Sequence, residues 1–141
     1  MHAEIEYNRI IENKRKGDAK MKNGYSTYDI VLVDFGEAEF DGEQAGIRPA
    51  VIVQNELGNR HSSTTLVAPF TSQHKSLRQP THSLFRKDRD KGLITDSILL
   101  GENLRNVSEK RILQKLGSIK KEEDKMKVNR ACDANFPWRC S

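Results

Sequence analysis

Apolar residues are concentrated between positions 28 and 119, in short runs separated by polar stretches. The first run, residues 28–34 (YDIVLVD), is rich in β-branched side chains and reads as a strand. Residues 35–46 follow as a long polar loop that holds three glycines together with Glu37, Glu39, Asp41 and Glu43. A segment so polar cannot bury itself and lies on the surface. Residues 50–54 form a second strand whose unbroken apolar content predicts burial on both faces. The Gly58-Asn59 pair marks a turn within 55–63, and 64–69 is a third strand. A second polar loop spans 71–80. Further strands are predicted at 82–85 and 97–100, separated by the charged run 86–91, with a short extended piece at 104–107. Ser108 is placed to cap a single helical turn at Glu109-Lys110-Arg111. Residues 112–119 fit either a strand or a helix, because Ile112, Leu113 and Leu116 also satisfy helical spacing. Residues 120–136 read as a helix with Val128, Ala131, Cys132 and Phe136 on one face, and Glu122, Glu123 and Asp124 complement the macrodipole in its first turn. Many short strands with one closing helix predict a mostly β (α+β) fold, a small and mainly antiparallel barrel.

The ends differ from this centre. Residues 1–24 are polar and carry both charge signs; 4–16 are compatible with a helix, and Asn23-Gly24 breaks it. The expected organisation is a polar, flexible or loosely docked leader over 1–24, a folded domain over 25–136, and a short tail over 137–141. The chain contains no internal repeat.

Composition narrows the function only a little. At 141 residues and 35% hydrophobic content, the chain can bury one core. A net charge of +4 is compatible with a polyanionic partner and equally with an ordinary mixed surface. The two cysteines, Cys132 and Cys140, lack zinc spacing and read as reduced thiols. No apolar stretch is long enough to span a membrane and no signal-type h-region is present, so a cytoplasmic location is expected.

Candidate chemistry begins with what is missing. There is no Walker loop, no GxGxxG, no HExxH, no acidic cluster at metal spacing and no nucleophile elbow. An enzyme built on this chain is expected to need neither metal nor cofactor. What remains is Arg48 in GIRPAVIVQN (46–55) and Thr71 at the end of the third strand. Pro49 holds the residue before it extended, so Arg48 leaves its strand in a fixed direction. A guanidinium presents a rigid fork of donors to phosphate oxygens, and a nearby hydroxyl can donate to the same group. Together they make a phosphate-handling pair. Each has an alternative: Arg48 as a surface arginine in an ion pair, Thr71 as a turn residue bonded to backbone.

The order and spacing of several segments carry a resemblance. GIRPAVIVQN, TTLVAPFTSQ (64–73), Gln79-Pro80-Thr81-His82, DSILLGENLRNV (96–107) and KRILQKLGSI (110–119) resemble the MazF/PemK toxins of type II toxin–antitoxin systems. The likeness runs from about residue 26 to residue 136 and favours the phosphate-handling reading of Arg48. It implies a small SH3-like barrel of the CcdB/PemK type with short helices and a C-terminal helix, forming a homodimer. It further implies a sequence-specific, metal-independent endoribonuclease acting on single-stranded RNA. Arg48 and Thr71 match the catalytic pair. Gln44, Asn55, Gln73 and Pro80 match positions lining the RNA groove. Asn103 stands where the family often has glutamine, a shorter amide at a base-recognition position. Glu102 and Arg105 match a buried or interfacial charge pair of structural character.

The resemblance also implies a cognate antitoxin that binds through an acidic, partly disordered segment. Base stacking would fall to loop aromatics, for which Phe40, His61, Phe70 and His74 are the candidates, Phe70 having core packing as its alternative. Two other functions share the fold class: a gyrase-binding toxin like CcdB, and a catalytically silent nucleic-acid-binding module.

Overall fold

A computed structural model describes residues 24–138. The polar leader up to residue 23 and Cys140 lie outside the described residues. Among the described residues, seven strands, two helices and two 3-10 turns follow in the order β1 (Asp29–Asp34), β2 (Ile47–Ile52), α1 (Glu56–His61), β3 (Thr64–Thr71), β4 (His82–Phe85), β5 (Ser97–Leu100), a 3-10 turn (Gly101–Asn103), β6 (Arg105–Ser108), a second 3-10 turn (Glu109–Arg111), β7 (Ile112–Ser118) and α2 (Glu122–Asp133). All strand pairings are antiparallel, in the order β4-β5-β3-β2-β1-β7, with β6 joining β3 beside β5.

The central strands β1, β2 and β3 are buried on both faces, which is why they read as unbroken apolar runs. One face holds Val31, Val33, Phe35, Ala50, Ile52, Val67, Val107 and Ile112, which pack together as one core. The other face, with Ile30, Val51, Ala68 and Phe70, is covered by the β4–β5 hairpin and by Val128 and Ala131 of α2. Phe70 meets Phe85 edge-on at 5.5 Å inside this second core, so it packs rather than stacks on a base. β3 therefore belongs to both layers. Its first half pairs with β6 and its last two residues pair with β5.

Residues 112–119 resolve as a strand, β7, for a reason that explains the helical spacing. β7 runs antiparallel to β1 with two register shifts. Val33 faces Ile112 and Leu32 faces Gln114, so Leu113 is the extra residue; Val31 faces Lys115 and Ile30 faces Gly117, so Leu116 is the second. The bulges break the period of two, and both leucines then cover Leu32 together with Ile47.

Other expectations need correction. The turn predicted at Gly58-Asn59 is the interior of α1. β2 begins at Ile47, not at residue 50, because β1 pairs with it through Pro49 and Arg48. The C-terminal helix ends at Asp133, so Phe136 is not on its apolar face; it lies beyond the helix, stacked against Trp138 at 5.0 Å. Cys132 packs against the core, and burial pushes its thiol up to about 11, as befits an inert thiol. No described helix is long and apolar enough to cross a membrane.

Candidate functional site

The site is built where three connections meet at one end of the sheet. The first is the loop between β1 and β2. Its neck is closed by two backbone bonds, Phe35 N–H to the Gly46 carbonyl (2.9 Å) and Gly46 N–H to the Gly36 carbonyl (2.8 Å). Gly36 and Gly46 both take positive φ at this neck, a conformation that glycine alone adopts without strain. Further out, the Glu43 carboxylate accepts the Glu39 and Phe40 backbone N–H groups and folds the tip. Phe40 is left 71% exposed there.

Arg48 emerges two residues after the neck. Its Nε donates to the Ala45 carbonyl at 2.8 Å, so the loop itself braces the guanidinium. Among the described residues no carboxylate pairs with Arg48, and its two Nη groups have no protein partner. Within the described residues, then, Arg48 is braced by backbone and not by an ion pair. Within the β2–β3 ladder Ala50 faces Pro69 and Val51 faces Ala68. The same register continued two residues sets Arg48 across from Thr71, on one face of the sheet.

Thr71 ends β3 and is 4% exposed. Its hydroxyl oxygen accepts the Gln73 N–H at 3.2 Å, the turn role weighed above. That bond uses a lone pair and leaves the hydroxyl proton to be donated, so the two readings of Thr71 coexist. Gln73 and Pro80 are exposed at the start and end of the loop that follows.

The third connection is the 3-10 turn Gly101–Asn103. Asn103 Nδ2 donates to Gln44 Oε1 at 3.2 Å, which joins two of the sequence-predicted groove residues across the site. The turn is held by the Gly101 N–H to the Thr81 carbonyl (2.8 Å) and by Asn135 Nδ2 to the Gly101 carbonyl (2.7 Å). Glu102 and Arg105 do not pair with one another. Glu102 reaches His82 on β4 (2.7 Å), and its side chain is 42% exposed. Arg105 opens β6 and lays its guanidinium over the Phe35 ring at 5.5 Å. The turn ends between the two residues and sends their side chains to different neighbours.

Asn55 is separated from the others. It caps α1, its Oδ1 accepting the Gly58 N–H at 2.8 Å. β2 has carried the chain about 13 Å from Arg48 by its end at Ile52, at ~3.3 Å per residue. The signal was present in the sequence as Asn followed by Glu, a capping pair, and the Gly58-Asn59 turn signal obscured it.

Sequence reasoning also missed the role of His82. Its Nδ1 lies 2.7 Å from the Ser76 carbonyl in the β3–β4 loop, and its Nε2 lies 2.7 Å from Glu102. No local pattern in the sequence joins positions 76, 82 and 102; the β4–β5 register, with His82 opposite Leu100, does. Among the described residues no cluster of three or more His, Cys, Asp or Glu is arranged to hold a metal ion.

Comparison with known proteins adds to this geometry. Residues 26–135 match the family described as PemK-like, MazF-like toxin of type II toxin-antitoxin system. The chain is 38% identical over 109 residues to "Endoribonuclease MazF" of Staphylococcus saprophyticus, covering 77% of this chain and 88% of that protein. Among solved structures, the fold is shared with an endoribonuclease in complex with its cognate antitoxin from a mycobacterial species. There the TM-score is 0.63 at 20% identity, with 81% of this chain and 98% of that chain covered. MazF from Deinococcus radiodurans gives a TM-score of 0.64 at 17% identity, with 79% and 94% covered.

Proposed function

The chain belongs to the PemK-like, MazF-like toxin family of type II toxin–antitoxin systems, and we propose that it is an endoribonuclease that cuts single-stranded RNA at a specific sequence without metal. The unit that does so is residues 25–136. The observation that supports this reading is the β2–β3 register, which, continued two residues beyond the Ala50–Pro69 pair, brings Arg48, braced by Ala45, opposite Thr71. A relative named for endoribonuclease activity supports the substrate class.

In this mechanism the ribose 2′-oxygen attacks the adjacent phosphorus. The 2′-O–P bond forms and the P–O5′ bond breaks. The 2′-hydroxyl loses its proton and the departing O5′ gains one, leaving a 2′,3′-cyclic phosphate and a 5′-hydroxyl. DNA lacks the attacking hydroxyl and is not cut. The Nη groups of Arg48 stabilise the charge that grows on the phosphorane oxygens, while Nε stays on Ala45. A guanidinium, which carries its proton throughout the working range, does not serve as a general base. Thr71 donates its hydroxyl proton to a non-bridging oxygen. The Gln44–Asn103 amide pair and Gln73 offer donors and acceptors to base edges, and Pro80 and Phe40 offer apolar surface. Asn55, as a helix cap at the far end of β2, has no part in this site within one protomer.

The toxin acts as a homodimer and is neutralised by a cognate antitoxin, the partner named in a solved complex of the same fold. A cytoplasmic location goes with an RNA substrate. The test is incubation with a long single-stranded RNA in EDTA, with analysis of fragment ends, beside Arg48→Ala. Discrete cuts with cyclic phosphate ends that fall about 100-fold or more in the variant are expected, the size of a lost transition-state donor. Intact RNA across diverse sequences would return the chain to a gyrase-binding or silent nucleic-acid-binding role.

A further inference from the structure

His82 sits on β4 with its side chain only 8% exposed and both ring nitrogens engaged. Nδ1 faces the Ser76 carbonyl and Nε2 faces the Glu102 carboxylate, each at 2.7 Å. A carbonyl can only accept, and so can an ionised carboxylate. Both ring nitrogens must therefore donate, which only the imidazolium does. The two partners lie on different segments. Ser76 is in the middle of the β3–β4 loop, between Gln73 and Pro80, and Glu102 is in the 3-10 turn next to Asn103. In its imidazolium form the ring thus fastens the β3–β4 loop to the 3-10 turn.

We propose that His82 is a positioning residue: it clamps the β3–β4 loop to the Gly101–Asn103 turn and so sets the width and register of the groove that receives single-stranded RNA. The link to RNA rests on the function proposed above; the clamp itself does not. Glu102 and Lys75 are the charged groups that act on the ring. Burial pushes the imidazole down, but the hydrogen bonds to Glu102 and Ser76, with the Glu102 charge, outweigh burial and the opposing Lys75, and the net direction is up. Burial likewise works against the Glu102 carboxylate, yet its bond to His82 carries it below the ordinary range.

The sign follows. The histidine is raised, so the clamp is complete below the ordinary imidazole value of about 6.5 and is lost as pH rises through the higher folded value. Neutral imidazole can keep one donor bond and must release the other partner.

The experiment has two readouts on the whole chain. NMR without RNA follows the His82 ring nitrogens and the protection factors of amides 73–79 between pH 5.5 and 9. KM and kcat on an RNA substrate are measured over the same range for wild type, His82→Gln and Glu102→Gln. The expected results are a His82 titration above the ordinary value, loss of loop protection along the same curve, and a wild-type KM that rises with it while kcat changes little. His82→Gln should raise KM about fivefold at pH 6, a charge-assisted bond discounted for the half-exposed Glu102, and flatten the pH dependence. Glu102→Gln should shift the wild-type curve to lower pH, and it serves the test if His82→Gln fails to fold. A His82 titration uncoupled from loop protection would overturn the clamp. Coupled loop protection with a pH-independent KM would overturn its role in RNA positioning. Absence of any RNA cleavage would overturn the function and leave the NMR readout to decide the clamp.

Discussion

Arg48 and Asn55 stand at opposite ends of β2, and the chain uses their side chains for opposite purposes. Arg48 spends Nε on the Ala45 carbonyl, and among the described residues its two Nη groups have no partner. Asn55 spends its carbonyl oxygen on the first turn of α1, a helix with no buried residue. The cap adds to the bonds that Glu56 and Asn59 make with Thr27, Gln54 and Thr65, so Asn55→Ala is expected to cost about 1 kcal/mol in urea unfolding while leaving RNA cleavage by the protomer unchanged. A large loss of cleavage with unchanged stability would restore Asn55 to the groove. At this scale the readable part of the sequence was chemistry. A guanidinium before proline and a hydroxyl at a strand end declare what they can do wherever they fold. What a carboxamide or an imidazole does depends on the neighbour it finds. Asn55 found a helix, Asn103 found Gln44, and His82 found Ser76 and Glu102, none of which local spacing announces.

Among the elements, the shortest ones position the site. The 3-10 turn Gly101–Asn103 is wedged between α2 and the residue preceding β4, and Gly101 has no room for a side chain. A Cβ there would run into the Ala131 carbonyl and lie 2.9 Å from the Thr81 carbonyl, both backbone. Gly101→Ala is therefore expected to destabilise the protein by about 2 kcal/mol and to weaken RNA binding by displacing Asn103. A denaturation midpoint equal to wild type would show that α2 can give way. The longer elements were legible because burial on both faces writes a continuous apolar run into β1, β2 and β3. α1 was not, since six residues without an apolar face leave no periodic signal. β7 was ambiguous because its bulged residues, Leu113 and Leu116, recur at a spacing of three. Only the partner strand separates a twice-bulged strand from a helix.

At the scale of the whole molecule, charge is sorted by loop. Glu37, Glu39, Asp41 and Glu43 gather on the β1–β2 loop, while His74, Lys75 and Arg78 gather on the β3–β4 loop, within a chain of net charge +4. A groove edged by the basic loop suits either of two polyanions, RNA or an acidic antitoxin segment. The two are expected to compete, so a labelled RNA should be displaced by the antitoxin segment, with RNA affinity falling as salt rises. Fluorescence anisotropy decides it, and a stable ternary complex would contradict a shared groove. The antiparallel, mostly β architecture was readable from the spacing of the runs and from the family resemblance. The splitting of β3 between β6 and β5 was not, because pairing partners are a property of the whole sheet and not of any segment. The neck of the β1–β2 loop adds something of a different kind. Its two peptide–peptide bonds shut the loop at its base, and Ala45, the brace on Arg48, sits just inside that closure, next to Gln44 and away from the tip. Residues 37–43 thus reach Arg48 only through Gln44 and Ala45. On the function proposed above, a change of composition at the tip would bear on what is recognised, while the closed base keeps the brace.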